Sequence, residues 1–123
     1  MPLHCTAIGK VRLAHTEPAL FARVAEAGLP RRTPRTIVAP GLLRRQLEQV
    51  RATGVAYEYE ESATGIVCIA APVLDQDDVP VAAISVTGPV TRFPPDAHAT
   101  AAKAAAAGIS SILARRAQAR PAR

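Results

Sequence analysis

Ile66-Val67-Cys68-Ile69-Ala70-Ala71-Pro72-Val73-Leu74 is followed by Asp75-Gln76-Asp77-Asp78 and then by Val79-Pro80-Val81-Ala82-Ala83-Ile84-Ser85-Val86-Thr87. The first run is apolar throughout, as a strand covered on both faces would be. The polar segment after it reads as a hairpin loop, so the second run should return antiparallel to the first. With Leu74 opposite Val79, Cys68 falls opposite Ser85 and Ile66 opposite Thr87. Alternation then puts Cys68, Ser85 and Thr87 on one face, where opposed Cβ atoms lie about 4.5–5.5 Å apart. Such a cluster could line a pocket for a small polar ligand. A thiol and two hydroxyls satisfied within the sheet would give the same pattern, so both readings stand on the residues alone.

Working outward, Gly54 to Tyr59 alternates, with Val55, Tyr57 and Tyr59 on one side and Ala56 and Glu58 on the other. This supplies a third strand. Gly88-Pro89 is expected to end the strand at 79–87, and Pro94-Pro95-Asp96 to open a long alanine-rich helix running to about Arg116. Ile109, Ile112 and Leu113 are its large apolar contacts. Upstream, three helices precede the strands. Cys5 to Leu13 carries Ile8 and Val11 at helical spacing. Thr16 is placed as the N-cap of a second helix, with Pro18 in its first turn and Leu20, Phe21, Val24 and Ala27 as its stripe up to Gly28. Pro40 to Thr53 presents Leu43, Leu47 and Val50 to a core and stops at Gly54. Between these two helices, residues 29–40 hold three prolines and three arginines and read as an extended loop. The fold class is α+β: an antiparallel sheet with helices before it and a long C-terminal helix.

Composition bounds the function. The chain has 123 residues, enough for one small domain. Of these, 26 are alanine and only 30 are Val, Ile, Leu, Met or Phe, so large apolar side chains are scarce. No membrane span, signal peptide or metal site is visible. Cys5 and Cys68 lack CxxC spacing and are expected to be reduced thiols in a cytosolic protein. The net charge of +5 is divided by sign: residues 1–56 carry +6, residues 57–96 carry −6, and residues 97–123 carry +5. Arg31, Arg32 and Arg35 sit in the proline-rich loop, while Arg115, Arg116, Arg120 and Arg123 suit a helix C-terminus on dipole grounds. No continuous basic face with an interleaved motif emerges, so direct DNA binding is not expected of this chain. An enzyme could be assembled only by pairing Cys68 with His4 or His98. Its apolar neighbours instead favour an inert thiol.

Several stretches in order resemble the effector-binding domain of IclR-type bacterial transcriptional regulators. Leu3-His4-Cys5-Thr6-Ala7-Ile8-Gly9-Lys10 is similar to that family's helix with its Gly-Lys pair. Thr33-Pro34-Arg35-Thr36-Ile37, Glu60-Glu61, Gly65 to Val73 and Ala82 to Pro89 follow with the family's spacing, across roughly residues 2–115. The resemblance implies a partial GAF/PAS-like sensing domain over residues 1–116, with residues 117–123 a basic tail. The DNA-reading winged helix and the first part of the sensing domain are expected to be absent.

The resemblance also implies a non-catalytic pocket for a small organic acid, with no cofactor. Its expected contacts are Ala7 and Ile8 on the helix, Glu58 on the first strand, and Cys68, Ser85 and Thr87 on the other two. Homodimers or homotetramers are expected, both from the family and from a sheet edge left unpaired. A truncated remnant without activity is the competing reading.

Overall fold

The computed structural model of the protein describes residues 2–119. Its elements are α1 (Ala7–Ala14), α2 (Pro18–Ala27), α3 (Pro40–Thr53), β1 (Ala56–Tyr59), β2 (Ile66–Leu74), β3 (Pro80–Pro89), a 3-10 turn (Pro95–His98) and α4 (Ala99–Ala119). The strands form one antiparallel sheet in the order β1-β2-β3. The expected tail boundary after residue 116 falls inside α4, and Arg120 and Arg123 lie outside the described residues.

The central strand β2 explains its own sequence, because Val67, Cys68, Ile69, Ala70, Ala71 and Val73 are all buried between two layers of helix. One layer is α1 with α3. There Val11, Leu13, Leu43, Leu47 and Val50 pack with Ala56, Cys68 and Ala70. The other layer is α4, where Ala102 and Ala106 meet Val55, Ile69, Ala71 and Val73, flanked by Tyr57, Ile84, Phe93 and Leu113.

The hairpin pairs differently from the sequence expectation. Cys68 lies opposite Thr87, Ile66 opposite Pro89, and Ala70 opposite Ser85. Two local features each advance β3 by one residue. The loop closes through the Asp75 N–H on the Val79 carbonyl, with Asp78 at φ 59°, so Leu74 meets Pro80 rather than Val79. A bulge then leaves Val81 unpaired between Pro80 and Ala82. Together the two shifts restore parity, so Cys68, Ser85 and Thr87 keep their common face.

Other boundaries move for identifiable reasons. β3 continues through Gly88-Pro89 instead of breaking there; proline is tolerated because β3 is an edge strand of the described sheet. β1 begins at Ala56 rather than Gly54, which is the left-handed C-cap of α3. Helix α1 begins at Ala7, not Cys5, because Thr6 caps it by accepting the Gly9 N–H. Glu17, not Thr16, occupies the cap position of α2; the Thr16 hydroxyl donates to the Leu13 carbonyl. No residue of α2 is fully buried, so its stripe packs only partly. On α4, Ile109 and Ile112 are 40% and 45% exposed, and the helix approaches the sheet through Ala102 and Ala106 instead.

Two glycines mark close approach. A Cβ on Gly9 would sit 2.6 Å from the Leu3 Cα and 2.7 Å from the Pro2 carbonyl, where residues 2–6 cross the start of α1. A Cβ on Gly88 would meet the Phe93 ring at 2.6 Å.

Candidate ligand-binding hollow

Glu58, Cys68 and Thr87 stand in one row across the three strands, since Glu58 pairs with Cys68 and Cys68 with Thr87. The next row on that face is Ala56, Ala70 and Ser85. Above them lies the N-terminal turn of α1. Thr6, Ala7 and Ile8 complete a hollow of about 230 Å³ with Glu58, Ser62, Ile66, Cys68, Ser85 and Thr87. All six residues expected from sequence therefore line one cavity. Thr6, Ser62 and Ile66 were missed. Thr6 could have been found as the N-cap, but Ser62 lies in a loop whose path no local pattern reveals.

The polar groups are closely placed. Thr87 Oγ1 donates to Cys68 Sγ at 3.1 Å, and Ser62 Oγ donates to Glu58 Oε1 at 2.6 Å. Burial pushes the Cys68 thiol above its usual pKa, against the opposing pull of the Thr87 and Ser85 hydroxyls. Burial thus favours the thiol over the thiolate, the opposite of what an activated nucleophile needs. The imidazoles are engaged elsewhere: His4 Nε2 lies 2.8 Å from the Pro30 carbonyl oxygen, and His98 stacks on Phe93. No Cys–His pair forms among the described residues. Nor does any group of three His, Cys, Asp or Glu there gather as metal ligands would.

Glu58 is a buried carboxyl, with only 3% of its surface exposed. Its Oε2 has no hydrogen-bond partner. Burial raises its pKa above the ordinary glutamate value, while the Ser62 hydroxyl and Glu61 peptide N–H work against that rise. The α1 start offers complementary donors. Thr6 Oγ1 takes the Gly9 N–H and the Thr6 carbonyl takes that of Lys10. The Ala7 and Ile8 amides belong to the first turn, which a helix leaves without internal acceptors.

A buried ion pair fixes this geometry. Lys10 Nζ reaches Glu61 Oε1 at 2.7 Å and the Tyr57 carbonyl at 2.8 Å. Glu61 Oε2 in turn accepts the Tyr59 N–H. Thr33 and Thr36 clamp the same turn from the proline-rich loop, each hydroxyl donating at 2.6 Å, to the Glu60 and Glu61 carbonyls respectively. The turn itself needs Gly65 at φ 86° and Glu60 at φ 55°. The Gly-Lys pair, the Thr-x-x-Thr segment and Glu60-Glu61 are thus one bracket holding Ser62 and Glu58 beside α1.

Residues 1–111 match the model of the bacterial transcriptional regulator IclR C-terminal family. The chain is 43% identical over 98 residues to the HTH-type transcriptional repressor AllR of Klebsiella pneumoniae, covering 78% of this chain and 36% of that protein. It spans about a third of the length of that relative. Among solved structures it resembles the C-terminal domain of the E. coli regulator KdgR, with TM-score 0.80 and 35% identity over 91% of this chain and 71% of that one. It also resembles the inducer-binding domain of a PobR double mutant from Acinetobacter in complex with 3-hydroxybenzoic acid. There the TM-score is 0.79 and the identity 28%, over 88% of this chain and 64% of that one. The bracketed hollow, the sheet and these matches place the chain in the IclR family of bacterial transcriptional regulators, as part of the C-terminal domain.

Proposed function

We propose that this chain is effector-sensing sequence of a transcriptional regulator, and that the hollow between α1 and the sheet holds a small organic acid. The observation that carries the reading is the convergence of Ala7, Ile8, Glu58, Cys68, Ser85 and Thr87 on one cavity. Physically, the Ala7 and Ile8 amides suit a carboxylate at a helix start. The Ser85 hydroxyl supplies a further donor, and the apolar wall of Ile8 and Ile66 suits a short carbon chain. The acid held by the related PobR domain fits the same chemistry. A binding rather than a catalytic role is supported by the burial of Cys68, which disfavours its thiolate.

A thermal-shift screen of small carboxylic acids on the chain, followed by calorimetry, tests this. A ligand present at a hundred times its Kd adds about 2.7 kcal/mol of stability. Absence of stabilisation by every acid at millimolar concentration would overturn the proposal and favour an inactive remnant. Self-association belongs to the same proposal, because β3 is an edge strand with Val81 and Val86 exposed. Sedimentation showing only monomer at micromolar concentration would count against it.

A further inference from the structure

The two edges of the sheet are finished differently. The Glu60 N–H on the Ile66 carbonyl and the Val90 N–H on the Gly65 carbonyl set which residues bond inward. Continued along the two registers, they leave the backbone of Tyr57 and Tyr59 turned out from β1, and that of Ala83, Ser85 and Thr87 turned out from β3. On β1 the outward groups are occupied: Lys10 Nζ donates to the Tyr57 carbonyl, and Glu61 Oε2 accepts the Tyr59 N–H. On β3 no described strand covers them. Residues 79–91 hold no charged side chain, the usual guard of a free edge. The Val81 bulge bounds the open stretch on one side, and Pro89, which has no N–H, on the other.

Resting on the self-association proposed above, we infer that a second copy of this chain occupies that edge, β3 against β3 about a two-fold axis at Ser85. Lys10 and Glu61 close the β1 edge, so assembly stops at two. Antiparallel pairing centred on Ser85 sets Ala83 opposite Thr87 and Ser85 opposite itself. Each of the three outward residues then uses both its N–H and its carbonyl. On the α4 face the same register brings Ile84 against Val86, which is 37% exposed in the single chain. The charges fit as well. Asp78 and Arg92 each lie seven residues from Ser85, in opposite directions. The acidic loop of one copy therefore meets the arginine after β3 of the other, at both ends of the seam. An in-register parallel pairing would instead set Asp78 beside Asp78 and Arg92 beside Arg92.

Sedimentation and amide hydrogen exchange on the full chain test this together. A dimer is expected, with no larger species. On dilution to monomer, the amides of Ala83, Ser85 and Thr87 should exchange at least about tenfold faster, while those of Ile84 and Val86, bonded to β2, should change less. Val86→Lys sets two like charges at the centre of the seam and is expected to sediment as a monomer with its helix and strand content intact. If that variant does not fold, Arg92→Glu, in the exposed turn after β3, should shift the equilibrium toward monomer. Lys10→Met with Glu61→Leu frees the β1 edge and should add species larger than the dimer. A dimer whose β3 amides stay in fast exchange, or one that persists in Val86→Lys, would overturn the inference while leaving self-association intact. Larger species in the wild-type chain, or a double variant that stops at the dimer, would overturn the role given to Lys10 and Glu61. Protected β3 amides in a monomer would give the edge to a different strand and overturn the second copy as its occupant. A monomer with fast exchange along β3 would overturn both the inference and self-association.

Discussion

Cys68 and Ile69 are neighbours on β2, yet they face two layers built on different principles. Ile69 looks to α4, where Ala71, Val73, Ala102 and Ala106 close around it and Ser110 Oγ accepts the Leu74 N–H at the end of the seam. Cys68 looks to α1, and around it stand Glu58, Ser62, Ser85 and Thr87. The α4 side is held by apolar burial, and small alanines let the helix backbone come close. The α1 side retains buried polar groups and a hollow, and depends on the Lys10–Glu61 bracket for its shape. In this division the α4 face is plainly apolar, while the α1 face combines a larger buried cluster with the polar hollow.

Substitutions on both faces would break or sharpen that contrast. The largest loss should follow Lys10→Met, which strands Glu61 as an unpaired buried charge. A cost of about 3–5 kcal/mol in denaturant unfolding is expected, with part recovered when Glu61→Leu is added. This would show that the bracket on the α1 face supplies stability as well as shape. Ile69→Ala should cost about 2–5 kcal/mol through the cavity it opens against α4, with acid affinity nearly unchanged once folding is saturated. Ser85→Ala reverses the pattern: stability close to wild type, but affinity for a stabilising acid reduced about 10- to 150-fold by calorimetry, or roughly 1.5–3 kcal/mol. Unchanged affinity in both Ser85→Ala and Thr87→Val would move the site off this face.

The smallest effect is the pH slope set by Glu58. Its folded pKa is raised above the ordinary value of 4.5, so the native state holds the proton more tightly than the unfolded chain. Stability therefore falls as pH rises from about the ordinary value through the raised one, then levels. Glu58→Gln should flatten that segment of the curve in thermal melts taken across acidic pH.

The two faces were not equally legible. β2 was readable from its unbroken apolar run, and the shared face of Cys68, Ser85 and Thr87 from alternation. The pairing was misread by two residues because an Asp75 loop closure and a Val81 bulge are set by backbone geometry, not by residue type. Parity survived, so Cys68, Ser85 and Thr87 still share one face. On the other face, size misled: Ile109 and Ile112 were expected to pack, whereas close approach favoured Ala102 and Ala106. The Lys10–Glu61 pair had no local signal at all, since its partners are separated by 51 positions and a lysine usually reads as surface. The family resemblance supplied the Gly-Lys pair, but only the structure gives its reason.

The contact from Thr87 to Cys68 has a vibrational consequence. The S–H stretch absorbs where few other protein groups do, and its frequency follows the hydrogen bonds at sulfur. Cys68 Sγ receives the Thr87 hydroxyl at 3.1 Å and lies 3.8 Å from the Ile69 carbonyl oxygen. Any occupant that draws the Thr87 hydroxyl away from sulfur will move the Cys68 band. Cys5, buried outside the hollow, provides a second band as an internal reference. The chain thus carries its own infrared label at the wall of the cavity, readable without adding a dye or changing a residue.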